Sequence, residues 1–181
     1  IGLVWFTGWQ TLALGVAGML LFLCYPWLKY HALGDVDIFL CYALLPILGT
    51  TFVATGQFLP EALVVSPAGL ITVGILHANN ARDVVTDKRA DTVTLPILFG
   101  VRFARWAYYF EVISPYIWVA IFAATSLLPP LCVLMTLLSV GRAARLTRAM
   151  SKLTDTNVSS IINLDEKTAQ HVLLFSRLLS L

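Results

Sequence analysis

Three oxygen-bearing side chains recur at a fixed interval in the polar segment between His77 and Asp91. Asn79, Asp83 and Asp87 are each four residues apart, which predicts that their side chains lie along one stripe of a helix. Ligand sets made only of oxygen favour Mg²⁺ or Ca²⁺ over Zn²⁺, and Mg²⁺ usually binds a few carboxylates together with substrate phosphate. The spacing therefore predicts a magnesium site for a phosphorylated substrate.

Positively charged residues are interleaved with these acids. Arg82, Lys88 and Arg89 can contact phosphate oxygens directly. A solvated loop of mixed charge is the alternative interpretation. The metal site is favoured because like charges four residues apart, as at Asp83 and Asp87, destabilise a helix that binds no cation.

A second polar cluster follows the first apolar segment and contains Tyr25, Lys29 and Asp35. Lys29 can supply a positive charge for a phosphate, and Tyr25 can supply a hydroxyl group or the face of a ring. The alternative is a lysine that extends to the membrane interface within a belt of aromatic residues.

Two ionisable residues, His77 and Glu111, lie inside or at the margin of apolar segments. Ionisable residues at such positions in a membrane are candidates for function. For His77 we expect a hydrogen bond near the end of a helix. Glu111 either lines a cavity or pairs with a neighbouring helix, and the sequence leaves both interpretations open.

The composition indicates that lipid surrounds the elements that carry these residues. Of the 181 residues, 59% are hydrophobic and 12% are charged, with a mean hydropathy of +0.83. Soluble domains have about twice that charged fraction. The net charge of +2 and the lack of a basic stripe argue against a nucleic-acid partner. Three separated cysteines inside apolar runs predict neither a zinc site nor a disulfide.

Apolar segments long enough to approach a bilayer span predict an all-α, polytopic transmembrane helical bundle. We expect a single domain over residues 1–181 that is a fragment of a longer protein, because apolar sequence is already under way at both ends. The predicted spans are five, with a sixth that is cut short: Trp9 to Tyr25, Ile38 to Thr55, Leu63 to Ala78, Phe103 to Ala124, Leu127 to Val140, and Ala169 to Leu181.

Positive charge indicates the orientation of these spans. Lys29, the basic residues around 82–105 and those around 142–167 follow alternate spans, and the opposite connections contain no Lys or Arg. Positively charged loops are usually cytoplasmic. The aspartates and Lys29 are therefore expected at the cytoplasmic side.

These motifs together resemble the UbiA superfamily of intramembrane prenyltransferases. The stretch from Asn79 to Asp87, followed by the leucine and glycine of residues 95–100, is similar to the second aspartate motif of that family. The spacing of Tyr25 and Lys29 resembles its YxxxK motif. The residues from Lys29 to Asp35, and the acidic segment from Asp165 to Ala169, resemble the dihydroxynaphthoate prenyltransferases of menaquinone synthesis and their animal relatives.

The resemblance implies a fold of nine transmembrane helices, of which this chain holds the fourth to the start of the ninth. It implies a Mg²⁺-dependent enzyme that joins a prenyl diphosphate to an aromatic acid, with loss of CO₂ from dihydroxynaphthoate. The first aspartate motif of the family is absent from this sequence, and Asp91 stands where this branch usually has glycine. The implied roles are catalysis by Asp83, Asp87, Lys29 and Tyr25, diphosphate binding by Arg82, Lys88, Lys29 and Asn80, and metal binding by Asn79, Asp83 and Asp87.

Other functions stay open at this point. Hydroxybenzoate is the alternative acceptor within the superfamily. A membrane transporter is the alternative from another class, although transporters place ionisable groups near the bilayer midplane. A non-catalytic membrane scaffold is a third. A bacterial cytoplasmic membrane is the expected location, with the active site toward the cytoplasm.

Overall fold

The computed structural model describes residues 2–154 and 157–181 and confirms the all-α prediction, since these ranges contain no β-strand. A π-helical segment joins α3 to α4, and short 3₁₀ turns precede α5 and α10. The helices are α1 (Gly2–Thr7), α2 (Trp9–Tyr30), α3 (Gly34–Phe39), the π-helical segment (Leu40–Leu44), α4 (Leu45–Thr55), α5 (Pro67–Arg82), α6 (Val84–Arg89), α7 (Leu95–Ala124), α8 (Pro130–Leu137), α9 (Val140–Met150) and α10 (Leu164–Leu179).

Three helical stretches among the described residues are long and apolar enough to cross a membrane: α2, the continuous stretch Gly34–Thr55, and α7. The pair formed by α8 and α9 is bent by 51° and would make a fourth if it counts as one span. These stretches confirm the first, second and fourth predicted spans. In α7 the helix is interrupted at Gly100, whose φ of 77° lies in the region that favours glycine.

The other predicted spans differ from what the structure shows. The prediction of a continuous helix over Leu127 to Val140 was wrong. Helix α8 begins at Pro130, because proline is favoured in the first turn of a helix, and it ends at Leu137. The chain then turns, and the arginine-bearing α9 follows at an angle. Helices α5 and α10 have 16 residues each, about 24 Å at the usual rise per residue, which is shorter than a bilayer core of about 30 Å.

The buried core joins α5, α7, α9 and α10. One cluster contains Tyr108 and Met150, and the other contains Ile71, Val119 and Phe175, all fully buried. By contrast, α2 buries none of its residues and presents a long apolar surface. Such a surface suits contact with lipid or with further apolar helices.

A close backbone approach fixes α3 and the π-helical segment against α5. A Cβ atom at Gly69 would lie 2.2 Å from the Cβ of Ala43. Only glycine permits this contact without a shift of the backbone. The approach holds the N-terminal end of α3 beside α5, and this is where Asp35 meets His77.

The positively charged connections lie together at one end of the bundle. The backbone N–H of Ala32, after α2, donates to the carbonyl of Val93 at 3.2 Å. Near the start of α7, Arg105 donates to the carbonyl of Ser151, after α9, at 3.3 Å. The arrangement therefore brings the loops after α2, α6 and α9 to the same end, as the charge pattern predicts.

Candidate active site

The predicted aspartate stripe is bent at Asp83. The prediction of one helix through Asn79, Asp83 and Asp87 was wrong. Helix α5 ends at Arg82, and Asp83 leaves helical geometry with φ −93° and ψ 11°. The spacing of four is nevertheless kept by the backbone: the N–H of Asp83 donates to Asn79 at 3.0 Å, and that of Asp87 donates to Asp83 at 2.8 Å. The bend leaves the Asp83 side chain about one third exposed at the break between two helices.

The guanidinium group of Arg82 connects the residues of this break. Its Nε donates to Asp83 Oδ1 at 2.8 Å, and its Nη2 donates to Asp83 Oδ2 at 3.0 Å. Nη2 also donates to Asn79 Oδ1. Asn79 and Asp83 thus already share one cation, because the planar fork of arginine matches the two carboxylate oxygens.

A second carboxylate holds Arg82 from the opposite side. Asp165, at the start of α10, accepts a hydrogen bond from Arg82 Nη1 at 2.6 Å, and the carbonyl of Ile162 accepts another at 3.3 Å. The sequence singled out Asp165 only as part of a motif and gave no sign of this pairing. Eighty-three residues separate the two partners, so no local pattern could have paired them.

Asp87 interacts electrostatically with Asp83 and with Lys29. Burial raises the pKa of the Asp87 carboxyl, the positive charge of Lys29 opposes this rise, and the negative charge of Asp83 adds to it. Lys29 and both aspartates therefore lie close together at this end of the bundle.

The donors of this group fit Mg²⁺. Asn79, Asp83 and Asp87 offer oxygen atoms only, and two of them already bind the cationic Arg82. A divalent ion at these oxygens would compete with the guanidinium for Asp83 and would relieve the repulsion between the two aspartates.

A small cavity brings together three of the predicted residues, Tyr25, Lys29 and Asn80, and is also lined by Asp35 and Thr94. It has a volume of about 10 Å³, near the minimum that holds one water molecule or one polar ligand atom. Asn80 Oδ1 and Thr94 Oγ1, both on its lining, are buried and have no hydrogen-bond partner. Buried polar atoms without partners are costly, so they favour a polar ligand atom here.

A larger apolar cavity of about 500 Å³ opens on the other side of Tyr25. It lies between α2 and the stretch Gly34–Thr55, and apart from Asp37 and the hydroxyl groups of two tyrosines its lining is apolar. Tyr25 belongs to the lining of both cavities. The arrangement can accept a molecule that has a charged head and a hydrocarbon chain.

Three buried ionisable residues, Asp35, His77 and Glu111, form a group next to this site, and Asp35 also lines the small cavity. His77 Nδ1 is 2.9 Å from Asp35 Oδ2 and 3.4 Å from Glu111 Oε1. The expected hydrogen bond of His77 is confirmed, and Glu111 pairs with a neighbouring helix.

Lys88 and Asp91 lie on the exposed surface and are not part of the small cavity. Asp91 has a φ of 53°, in the left-handed region that glycine adopts freely and that aspartate tolerates better than most residues. The backbone conformation of this turn thus explains why the family branch resembled by the sequence usually has glycine at the position of Asp91. This geometry gives Asp91 a role in the turn after α6.

Comparison with known proteins agrees with this geometry. The model of the UbiA prenyltransferase family matches residues 1–163. The chain belongs to the UbiA prenyltransferase family. It is similar to UbiA prenyltransferase domain-containing protein 1 of Homo sapiens and Mus musculus, with 34% identity over 143 residues in each case, which is 77% of this chain and 42% of the relative. The protein of that name from Xenopus tropicalis is 38% identical over 96 residues, covering 52% of this chain and 28% of the relative. No solved structure gives a significant match.

The chain therefore spans less than half the length of the curated relatives it matches. These relatives are eukaryotic and give no support to the expected bacterial membrane. Family membership and the apolar helices make this an integral membrane protein.

Proposed function

We propose that the protein containing this chain transfers a prenyl group from a prenyl diphosphate to an aromatic acceptor, with dihydroxynaphthoate as the acceptor in menaquinone formation. Membership of the UbiA family supports the reaction class. The single observation that carries the proposal is the position of Tyr25, which lines both the small cavity beside Lys29 and the large apolar cavity. A prenyl diphosphate has the same two parts, a charged head and an apolar chain.

The diphosphate would bind at the polar end. Lys29 offers an ammonium group, the hydroxyl of Thr94 can donate to a phosphate oxygen, and Arg82 offers a guanidinium fixed by Asp165. Asn79, Asp83 and Asp87 would hold Mg²⁺, which supplies positive charge to offset the charge that develops on a departing diphosphate. From the positive-inside rule we expect this end at the cytoplasmic face.

The prenyl chain would lie in the apolar cavity. In the proposed reaction the bond between the allylic carbon and the diphosphate oxygen breaks, and that carbon forms a bond with a carbon of the acceptor ring. With dihydroxynaphthoate the carboxylate leaves as CO₂, so no proton need be removed from the substituted carbon. The ring of Tyr25 stands at the junction, where it can stabilise an allylic cation by cation–π attraction, and the apolar lining excludes water.

Two alternatives predict different results. Hydroxybenzoate as acceptor would place the protein in another branch of the family. A transporter would be favoured by the buried group of Asp35, His77 and Glu111, whereas the grouping of Asn79, Arg82 and Asp83 at one end of the bundle supports a substrate site at the membrane surface.

The test uses membranes that carry the full-length protein, a labelled prenyl diphosphate, and either dihydroxynaphthoate or hydroxybenzoate. We expect Mg²⁺-dependent labelling of dihydroxynaphthoate that is lost in Asp87→Ala and kept in the control Arg148→Ala, which removes an exposed basic side chain of α9. Labelling of hydroxybenzoate alone would overturn the acceptor assignment. Absence of transfer to either acceptor, with the protein correctly inserted, would overturn the proposed function.

A further inference from the structure

The buried group of Asp35, His77 and Glu111 has a composition and geometry that the proposed reaction does not use. Its members come from α3, α5 and α7, and each residue is at most 9% exposed. One potential ligand atom from each of the three lies within 4.8 Å of the other two. Three elements of the bundle thus meet at one polar point in an apolar interior.

The distances within the group suit a shared cation. Two ligands about 2.0–2.2 Å from one metal ion, at angles between octahedral and tetrahedral values, lie about 2.9–3.5 Å apart. His77 Nδ1 is 2.9 Å from Asp35 Oδ2 and 3.4 Å from Glu111 Oε1. Both distances fall in this interval, and the Asp35 and Glu111 oxygens lie within 4.8 Å of each other. A cation bound here would replace the hydrogen bond between His77 Nδ1 and Asp35 Oδ2.

With both carboxylates ionised, the group carries two formal negative charges, and a protonated imidazole offsets only one of them. Within residues 2–154 and 157–181, His77 is the only ion-pair partner of Asp35 and Glu111. An unpaired charge in a medium of low dielectric constant is costly, whereas a divalent cation bound by a neutral imidazole and two carboxylates makes the group neutral.

An independent feature also points to a ligand. Glu111 Oε2 is buried and has no hydrogen-bond partner. The other oxygen of Glu111 faces His77 at 3.4 Å, so the carboxylate is directed into the group. Asp35 also lines the small cavity, which has room for about one water molecule. A cation there would have three protein ligands.

We propose that Asp35, His77 and Glu111 bind one divalent first-row cation, Zn²⁺ or Mn²⁺, in addition to the Mg²⁺ expected at the aspartate bend. An imidazole ligand disfavours Mg²⁺ and favours these ions. The bound cation ties α3 and α7 to α5 and so fixes the helix that carries Asn79 and ends directly before Asp83. This site does not depend on the proposed reaction.

The first test measures the metal content of the full-length protein, purified in detergent without chelators and then incubated separately with Zn²⁺ and with Mn²⁺. We expect about one equivalent of one of these ions after gel filtration, and X-ray absorption of the wild type should show one imidazole together with oxygen ligands. A protein that keeps less than about 0.1 equivalent of either ion, or a bound ion that lacks an imidazole ligand, overturns the proposal.

The second test uses variants of similar shape. Glu111→Gln and Asp35→Asn should each lower the affinity for the cation at least tenfold, while Asp83→Asn should leave it within twofold of the wild type. A strong chelator should lower the melting temperature of the wild type and leave that of Glu111→Gln unchanged. Equal metal content in all four proteins would overturn the assignment, and the wild-type spectrum decides it if a variant fails to fold.

Discussion

Asp165→Asn tests whether α10 controls the charge at the aspartate bend. In the structure Arg82 divides its donors between Asp83 and Asp165. When Mg²⁺ takes the oxygens of Asp83, only Asp165 and the carbonyl of Ile162 remain to hold the guanidinium beside the substrate. Asparagine keeps an oxygen acceptor at position 165 and removes its charge.

The expected magnitude follows from the exposure of the pair. The side chains of Arg82 and Asp165 are 25% and 24% exposed, with a 2.6 Å contact. A fully exposed pair contributes about 0.2–1 kcal/mol, and a hydrogen bond to a charged group contributes about 1.5–3 kcal/mol. We therefore expect a loss of about 1 kcal/mol for the asparagine variant, which corresponds to roughly fivefold in binding.

The assay is steady-state prenyl transfer by full-length protein in membranes. The KM for the prenyl diphosphate should rise about fivefold in Asp165→Asn, with kcat and the KM for the aromatic acceptor within twofold of the wild type. The concentration of Mg²⁺ at half-maximal rate should also rise, because Arg82 then competes more strongly for Asp83. Asp165→Glu should restore part of the loss.

The matched control is Glu166→Gln, an exposed residue next to Asp165. It removes the same charge from the same turn of α10 without touching Arg82. If Asp165→Asn leaves both the KM and the Mg²⁺ dependence unchanged, the assigned role of Asp165 is wrong. A general loss of folded protein without a change in KM would show a structural role alone.

Three further predictions concern the turn at Asp91, the large apolar cavity and the titration of Asp87. Asp91→Gly should preserve activity and raise the melting temperature slightly, since glycine adopts the observed φ of 53° without strain. A loss of activity comparable to that of Asp87→Ala would instead make Asp91 a metal ligand. Gly18 lines the large cavity, so Gly18→Phe should restrict transfer to shorter prenyl chains. Gly15→Phe, at an exposed position of the same helix, should not. Equal chain-length profiles for the two variants would show that the prenyl chain binds elsewhere. Because burial raises the pKa of Asp87, protons should compete with Mg²⁺ at a pH above the ordinary aspartate value near 4. The Mg²⁺ concentration at half-maximal rate should therefore rise as the pH is lowered, before that ordinary value is reached. A Mg²⁺ requirement that stays constant down to the ordinary value would contradict this.

The helical class and the rough spacing of the site were predictable because both depend on local pattern. Apolar segments of sufficient length predicted α2 and α7, and the interval of four placed Asn79, Asp83 and Asp87 in one backbone register. The bend at Asp83 was missed because no proline or glycine marks it.

The contacts between distant residues were not predictable. Asp35, His77 and Glu111 are far apart in the sequence and meet through the packing of α3 and α7 against α5, to which the close approach of Gly69 to the π-helical segment contributes. The pairing of Arg82 with α10 has the same origin in tertiary packing. Single polar residues in apolar helices signalled that partners were needed, without identifying them.

The central claim is that Asn79, Asp83 and Asp87 hold Mg²⁺ for a prenyl diphosphate. It is tested most directly by the Mg²⁺ dependence of prenyl transfer in Asp83→Asn and Asp87→Asn of the full-length protein, with Arg148→Gln as the surface control. The account predicts that each aspartate variant loses at least about 100-fold in rate at saturating wild-type Mg²⁺, with normal insertion and an unchanged control, consistent with the large effects of removing charge stabilisation in active sites. Wild-type rates and wild-type Mg²⁺ dependence in both aspartate variants would contradict it.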